Sequence, residues 1–343
     1  MKAQLLRQCC DLSVKPDPLD LCERETPTAG SGELLLQVIA CGVCHTELDE
    51  IEGRTPPPVL PVIPGHQVVG RVAAIGEEVC RFRVGDRVGV AWIFRACGRC
   101  AFCKDGLENL CPQFQGTGRD ADGGYAEYMV VDEHFAHPIP DSLSDIQAAP
   151  LLCAGAIGYR SLQLTGLKNG EILGLTGFGG SGHLVLQMVR HRYPESPVFI
   201  FARSARQQEL ARELGAAWAG TSDQAPPELL NAVIDTTPAW KPVVDALEFL
   251  RPGGRLVINA IRKESRDQEQ LLGLEYSRHL WMEKEIKSVA NVCRSDVREF
   301  LKLAAEINIK PQVECYPLAE ANRALHDLKI GDVRGAKVLM VEN

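Results

Sequence analysis

Ile172-Leu173-Gly174-Leu175-Thr176-Gly177-Phe178-Gly179-Gly180-Ser181-Gly182 is the stretch that decides the fold. An apolar run leads straight into a GxGxxG turn, and a helical pattern follows the glycines to about His191. Glycine-rich turns are common, so the bare pattern says little. Between a strand and a helix it marks a dinucleotide-binding unit. There Gly177, Gly179, Gly180 and Gly182 allow a tight turn and let backbone N–H groups approach a pyrophosphate at the positive end of the helix. The same rhythm continues downstream. Val198 to Ala202 reads as a strand, Ala205 to Leu214 as a helix closed by Gly215, and Ala232–Asp235 and Arg255–Ile258 as further strands. Strands alternating with helices predict a doubly wound parallel sheet of the Rossmann type, and hence an α/β protein.

Upstream the texture differs. Short β segments such as Glu33 to Ala40, Gln67 to Ile75 and Arg87 to Ala91 are punctuated by Gly and Pro. Lys337 to Val341 returns to that style as a last strand able to rejoin the N-terminal part. The expected organisation is a β-rich domain over residues 1–153 and 291–343, interrupted by a nucleotide-binding domain over 154–290. A chain of 343 residues, 45% hydrophobic and 24% charged, can bury two cores. The net charge of −8 argues against nucleic acid or an anionic membrane as the main partner. No apolar stretch approaches the roughly 20 residues that span a bilayer. The polar N-terminus lacks an apolar signal core, and the expected location is the cytoplasm, where clustered cysteines mean metal.

Cys97, Cys100, Cys103 and Cys111 form such a cluster. Four thiols this close can converge on one tetrahedral ion and close a structural zinc site. Two disulfides would suit a short secreted chain, and four unrelated buried thiols would rarely be spaced so evenly. Cys44, His66 and Cys153 also stand out, because a Cys₂His set with an open position is how a catalytic zinc is held. Spacing alone leaves the ordinary reading open for each: a histidine after a glycine is often structural, and an apolar cysteine is usually core. At the end of the second nucleotide-domain strand the sequence runs Phe201-Ala202-Arg203-Ser204-Ala205-Arg206, with no carboxylate where NAD readers place one. Arg203, Ser204 and Arg206 could bind a 2′-phosphate, which favours NADP(H) over NAD(H). The two arginines could equally be a solvated helix start.

A set of motifs in order then resembles a known family. It comprises Gly42-Val43-Cys44-His45-Thr46, Pro64-Gly65-His66, Gly85-Asp86-Arg87-Val88, the four-cysteine lobe, Gly123-Gly124-Tyr125-Ala126-Glu127-Tyr128, Cys153-Ala154-Gly155 and the glycine turn. The chain resembles the zinc-dependent alcohol dehydrogenases of the medium-chain dehydrogenase/reductase superfamily, nearest the branch that includes cinnamyl alcohol dehydrogenases. The resemblance implies a GroES-like catalytic domain around the Rossmann domain. It also implies two zincs per chain and interconversion of a primary alcohol and its aldehyde with a nicotinamide cofactor. Carried over by position, Cys44, His66 and Cys153 match the catalytic zinc ligands, and Thr46 the hydroxyl that starts a proton relay. His45 resembles a residue near the pyrophosphate, and Glu47 the acid that braces the ligand histidine. Trp92 resembles a wall of the substrate pocket, and Arg294 a late cofactor contact. A homodimer or homotetramer is the expected assembly, with a small alcohol or aldehyde as partner.

Two positions depart from the pattern. Gln67 follows the ligand histidine where many relatives have glutamate, and Asp49 stands where some carry a relay histidine. A polyol or sugar dehydrogenase of the same superfamily is the rival enzyme, though such relatives often use glutamate as third ligand. A zinc-free quinone reductase would leave both metal sites unexplained. A non-catalytic zinc and nucleotide binder would have no reason to retain Cys44, Thr46, His66 and Cys153 together.

Overall fold

The computed structural model describes residues 1–331 and 335–341. The chain divides into two compact units, Met1–Ala156 with Val292–Asn343, and Ile157–Asn291. The first division falls just beyond Cys153, because the helical turn Leu151–Gly155 that carries this residue packs inside the first unit. A Cβ on Gly155 would stand 2.2 Å from the Phe300 ring.

The first unit is organised around the strand Glu33–Val43. Leu34, Leu36, Val38 and Ala40 are fully buried and alternate with half-buried neighbours, so one face of the strand lies on the core. From Ala40 to Val43 every residue is buried. One edge pairs antiparallel with Val68–Ile75, which continues to Arg87–Val90 and Ala136–Pro138. The other edge carries Tyr128–Asp132 along its first half and Ala336–Met340 along its last residues, with Lys337 opposite Val43. Val313–Pro317 joins Ala336–Met340 in parallel. The end of the chain therefore borders the residues that lead into Cys44, as the sequence pattern of that last strand suggested.

The second unit holds six parallel strands in the order Trp218–Gly220, Val198–Phe201, Leu173–Thr176, Leu230–Asp235, Leu250–Ile258, Glu285–Ser288. In chain order this is 3-2-1-4-5-6, the doubly wound arrangement. All residues of Leu173–Thr176 and Val198–Phe201 are buried, as expected for strands covered on both faces. The sheet packs on a cluster that includes Phe199, Phe201, Leu230, Val233, Leu247 and Leu256. Glu285–Ser288 forms one edge, with all four residues exposed. No helix among the described residues is long and apolar enough to cross a membrane.

Candidate metal centres and dinucleotide turn

The strand Glu33–Val43 ends one residue before Cys44, which turns the chain into the helix His45–Ile51. Cys44 is the N-cap: its sulfur accepts from the Thr46 N–H at 3.3 Å, and its own N–H donates to Glu47 Oε2 at 2.9 Å. This is a capping box with sulfur in place of the usual hydroxyl. Amide hydrogens and the positive helix end both favour negative charge on that sulfur.

Glu47 has a second task. Its Oε1 lies 2.5 Å from His66 Nδ1, and both side chains are buried. The carboxylate therefore fixes the ring with Nε2 directed to Cys44, whose sulfur is 3.7 Å away. Cys153 arrives from far along the chain, in the π-helical turn Leu151–Gly155. Such turns are rare and concentrate at functional sites. The ligand atoms of Cys44, His66 and Cys153 all lie within 4.8 Å of one another, and among the described residues no fourth metal-binding side chain joins them.

The donor set can be tested against zinc. Tetrahedral bonds of about 2.3 Å to sulfur and about 2.0–2.1 Å to nitrogen place the two donor atoms about 3.6 Å apart. The observed Cys44–His66 separation of 3.7 Å fits. The electrostatics agree. The hydrogen bond with the Cys153 thiol, burial and the Glu47 carboxylate together push the Cys44 thiol well above its ordinary range. Burial lowers the His66 pKa, but the Glu47 carboxylate and Cys44 outweigh it and hold the imidazole well above its usual value. Two thiolates beside a carboxylate are unfavourable unless a divalent cation sits among them, and such a cation reverses this balance.

The four-cysteine lobe has the same logic. All four sulfurs lie within 4.8 Å of one another, and none is in a disulfide. Cys97 and Cys103 are 3.9 Å apart, against about 3.8 Å for two sulfurs on one tetrahedral zinc. The sulfurs of Cys97, Cys100 and Cys111 accept from the N–H groups of Cys100, Cys103 and Gln113 at 3.4–3.5 Å. Backbone N–H groups of Arg99 and Cys100 lower the Cys97 thiol to about 6, whereas burial and Cys100 raise Cys103 to about 12. One thiolate forms readily and another resists until a cation arrives.

Around Cys44, Thr46 is half-buried and His45 exposed. Asp49 is buried and bound to Arg54, whose Nε lies 2.5 Å from Oδ1. Gln67 is buried beside Gly42, where a Cβ would meet its Oε1 at 2.6 Å. Trp92 is half-buried, with the Phe114 ring centroid 5.2 Å from its own. Phe114 escaped the sequence reading because it follows the cysteine lobe with no periodic pattern to mark it. Glu50 escaped it too: one turn beyond Thr46, it is buried, and burial first and Glu47 second push its carboxyl well above the usual range.

In the second unit, Gly177 follows Leu173–Thr176 with φ of +82°, a conformation glycine adopts without strain. A Cβ there would strike Thr236 Oγ1 at 2.6 Å. Gly182 opens the helix Gly182–Arg192, and a Cβ on it would come 2.9 Å from the Gly177 carbonyl oxygen. Gly179 and Gly180 are exposed, and nothing lies within 4 Å of a Cβ on Gly179. Clear space beside the start of a helix is what the approach of a pyrophosphate requires. Ala202 is buried just past the strand Val198–Phe201, while Arg203, Ser204 and Arg206 are exposed around the start of the helix Ala205–Glu213. Arg294 belongs to the first unit and is engaged there. Its N–H and Nε donate to Glu108 Oε1 at 2.7 and 2.8 Å, and its guanidinium lies over the Phe135 ring. The structure thus ties Arg294 to the segment just before Cys111.

Residues 30–141 match the alcohol dehydrogenase GroES-like domain family. The chain is 44% identical over 329 residues to "Probable alcohol dehydrogenase AdhA" of Mycobacterium tuberculosis, covering 94% of this chain and 93% of that one. It is 35% identical over 334 residues to an alcohol dehydrogenase of Geobacillus stearothermophilus, covering 95% and 97%. The solved structure of a cinnamyl alcohol dehydrogenase from Sorghum bicolor matches with a TM-score of 0.83 at 26% identity, covering 99% of this chain and 97% of that one. With its mixed β-sheet unit, its doubly wound parallel sheet and these relatives, the chain belongs to the zinc-dependent alcohol dehydrogenases of the medium-chain dehydrogenase/reductase superfamily.

Proposed function

We propose that this alcohol dehydrogenase acts on a primary alcohol and its aldehyde with NADP(H). In this reading Cys44, His66 and Cys153 hold one zinc, and Cys97, Cys100, Cys103 and Cys111 a second. The observation that carries the reading is the three-donor set, because three protein ligands leave one position for a substrate oxygen. Zinc bound there supplies Lewis-acid chemistry to that oxygen. The protein's own groups do the rest. The sulfurs of Cys44 and Cys153 provide the negative charge, and Glu47 keeps the His66 Nε2 lone pair aimed at the cation. Thr46 Oγ1, in the first turn after Cys44, would take the proton of the substrate hydroxyl during oxidation while giving up its own to water or the cofactor ribose, and the relay would run in reverse during reduction. Asp49 is already paired with Arg54, which favours a proton path through water or the cofactor ribose. Trp92 and Phe114 offer an apolar wall suited to an unbranched or aromatic chain.

The preference for NADP(H) is supported by Ala202 at the end of the second strand and by the exposed Arg203, Ser204 and Arg206 beyond it. A carboxylate at that strand end would repel a 2′-phosphate, and none is present between Phe201 and Arg206. Use of NADPH favours aldehyde reduction as the physiological direction. A homo-oligomer is supported by the exposed edge strand Glu285–Ser288, where Ile286 is 44% exposed beside Trp281 and Met282, each more than half exposed. A reducing, cytoplasmic location is supported by thirteen free cysteines, Cys80 and Cys315 among them exposed.

The test is Cys153→Ala with metal analysis. Turnover should vanish and zinc content fall from two to one per chain, with NADPH binding kept. Retained turnover defeats the assignment.

A further inference from the structure

We propose that the buried pair Lys263–Asp235 is a clamp that holds the loop Thr236–Trp240 in the shape needed for dinucleotide binding, so that both are positioning residues for the cofactor. The proposal rests on the reading that the dinucleotide lies on the glycine turn. Asp235 ends the strand Leu230–Asp235, at the carboxyl end of the sheet where doubly wound folds bind ligands. It lies beside Thr176, its partner in the ladder and the residue just before Gly177. Asp235 Oδ1 accepts from Thr176 Oγ1 at 2.6 Å and from Thr237 Oγ1 at 2.8 Å. Asp235 Oδ2 meets Lys263 Nζ, which also donates to the carbonyl oxygens of Thr237 and Ala239, each at 2.8 Å. An ammonium has three hydrogens, and all three are committed here, one to the strand end at Asp235 and two to the loop.

The grip extends beyond the pair. The Glu264 N–H donates to the Pro238 carbonyl oxygen at 2.8 Å, and the N–H groups of Trp240 and Lys241 donate to Asp267 Oδ2. The segment after the strand Leu250–Ile258 thus fastens the loop after Leu230–Asp235. That loop abuts the glycine turn, since a Cβ on Gly177 would lie 2.6 Å from Thr236 Oγ1 and 3.0 Å from Thr237 Cγ2. A shift of Thr236–Thr237 would therefore reshape the turn. The Asp235 side chain is fully buried and that of Lys263 is 8% exposed. A buried ion pair adds little stability over an apolar pair of similar size, so its distinguishing effect is geometric.

The experiment compares Asp235→Asn/Lys263→Met, which leaves no lone buried charge, with Gly179→Val, which fills the clear space over the turn. Calorimetry gives the Kd for NADPH, and hydrogen exchange reports residues 236–240. If the loop keeps its binding shape a tenth of the time, the double variant's Kd rises about tenfold. The amides of 236–240 should exchange faster, and the kinetic loss should fall in the cofactor KM rather than in kcat. Wild-type affinity in the double variant, with Gly179→Val weakened, overturns the clamp and leaves the cofactor site standing. Wild-type affinity in Gly179→Val removes the site, and the clamp with it. Should the double variant fail to fold, Lys263→Arg keeps the charge but replaces three divergent donors with a planar fork. A severalfold higher Kd then supports the clamp, and an unchanged Kd overturns it.

Discussion

Glu47→Gln probes the proposed catalytic zinc through a residue that is not among its ligands. The carboxylate accepts on both sides, from the Cys44 N–H at 2.9 Å and from His66 Nδ1 at 2.5 Å. Glutamine keeps the length and shape but offers one acceptor and one NH₂. If the amide oxygen stays on the Cys44 N–H, the NH₂ faces Nδ1 and forces the ring proton onto Nε2, the atom needed for the metal. If the amide turns over, His66 keeps its tautomer, but the N–H of the helix cap is left facing a donor, at a cost of about 1 kcal/mol. The first arrangement costs zinc affinity about 10- to 100-fold, the usual range for losing the partner of a ligand histidine. That is about 1.4–2.8 kcal/mol. The assay is a competitive chelator titration with zinc counted per chain. The four-cysteine lobe, which Glu47 does not touch, is the internal control. One zinc should leave at markedly lower chelator concentration, the other should stay, and NADPH affinity should hold. Loss of both zincs together, or wild-type affinity for both, refutes the reasoning.

Ala202→Asp places a carboxylate at the end of the second strand, where it would accept from ribose hydroxyls and repel a 2′-phosphate. The ratio of kcat/KM for NADPH to that for NADH should fall about tenfold or more, and an unchanged ratio argues against phosphate recognition there. His137 is buried, and burial together with Arg81, Arg294 and Arg298 lowers its pKa to about 3. The unfolded chain therefore binds a proton that the folded chain refuses between pH 6.5 and about 3. Stability should fall on acidification by about 1.4 kcal/mol per pH unit from this group. Urea midpoints at pH 6.5 and 5 should converge for His137→Asn relative to wild type; parallel losses in the two proteins would contradict this. Ile286→Lys puts a third charged residue on the exposed edge strand, beside Glu285 and Lys287, and should shift sedimentation toward a smaller species, whereas an unchanged distribution excludes that edge as the interface.

Much of the fold is legible in single segments. The strands Leu173–Thr176 and Val198–Phe201 are short, apolar but for Thr176, and followed by helices, and this texture marks strands buried on both faces. Trp218–Gly220 and Glu285–Ser288 carry no such mark. The first is only three residues long, and the second is a polar edge strand whose residues are all exposed. The strand Leu250–Ile258 runs through Pro252-Gly253-Gly254, which by composition alone reads as a turn, and only its second half is visible as a strand.

The same division holds for the site. The glycine turn and the four-cysteine lobe are local, so their spacing alone limits what they can build. Cys44 and His66 are 22 residues apart, and Cys153 follows much later, so no spacing rule brings them together. Their approach depends on the strand Glu33–Val43 ending one residue before Cys44, on Glu47 turning His66, and on the helical turn that presents Cys153. Asp235 ends one strand and Lys263 lies in the connection after the next, and the two meet only because those strands are neighbours in the sheet. Short-range chemistry is written in the order of residues, while contacts between distant segments exist only after the sheets have set their register.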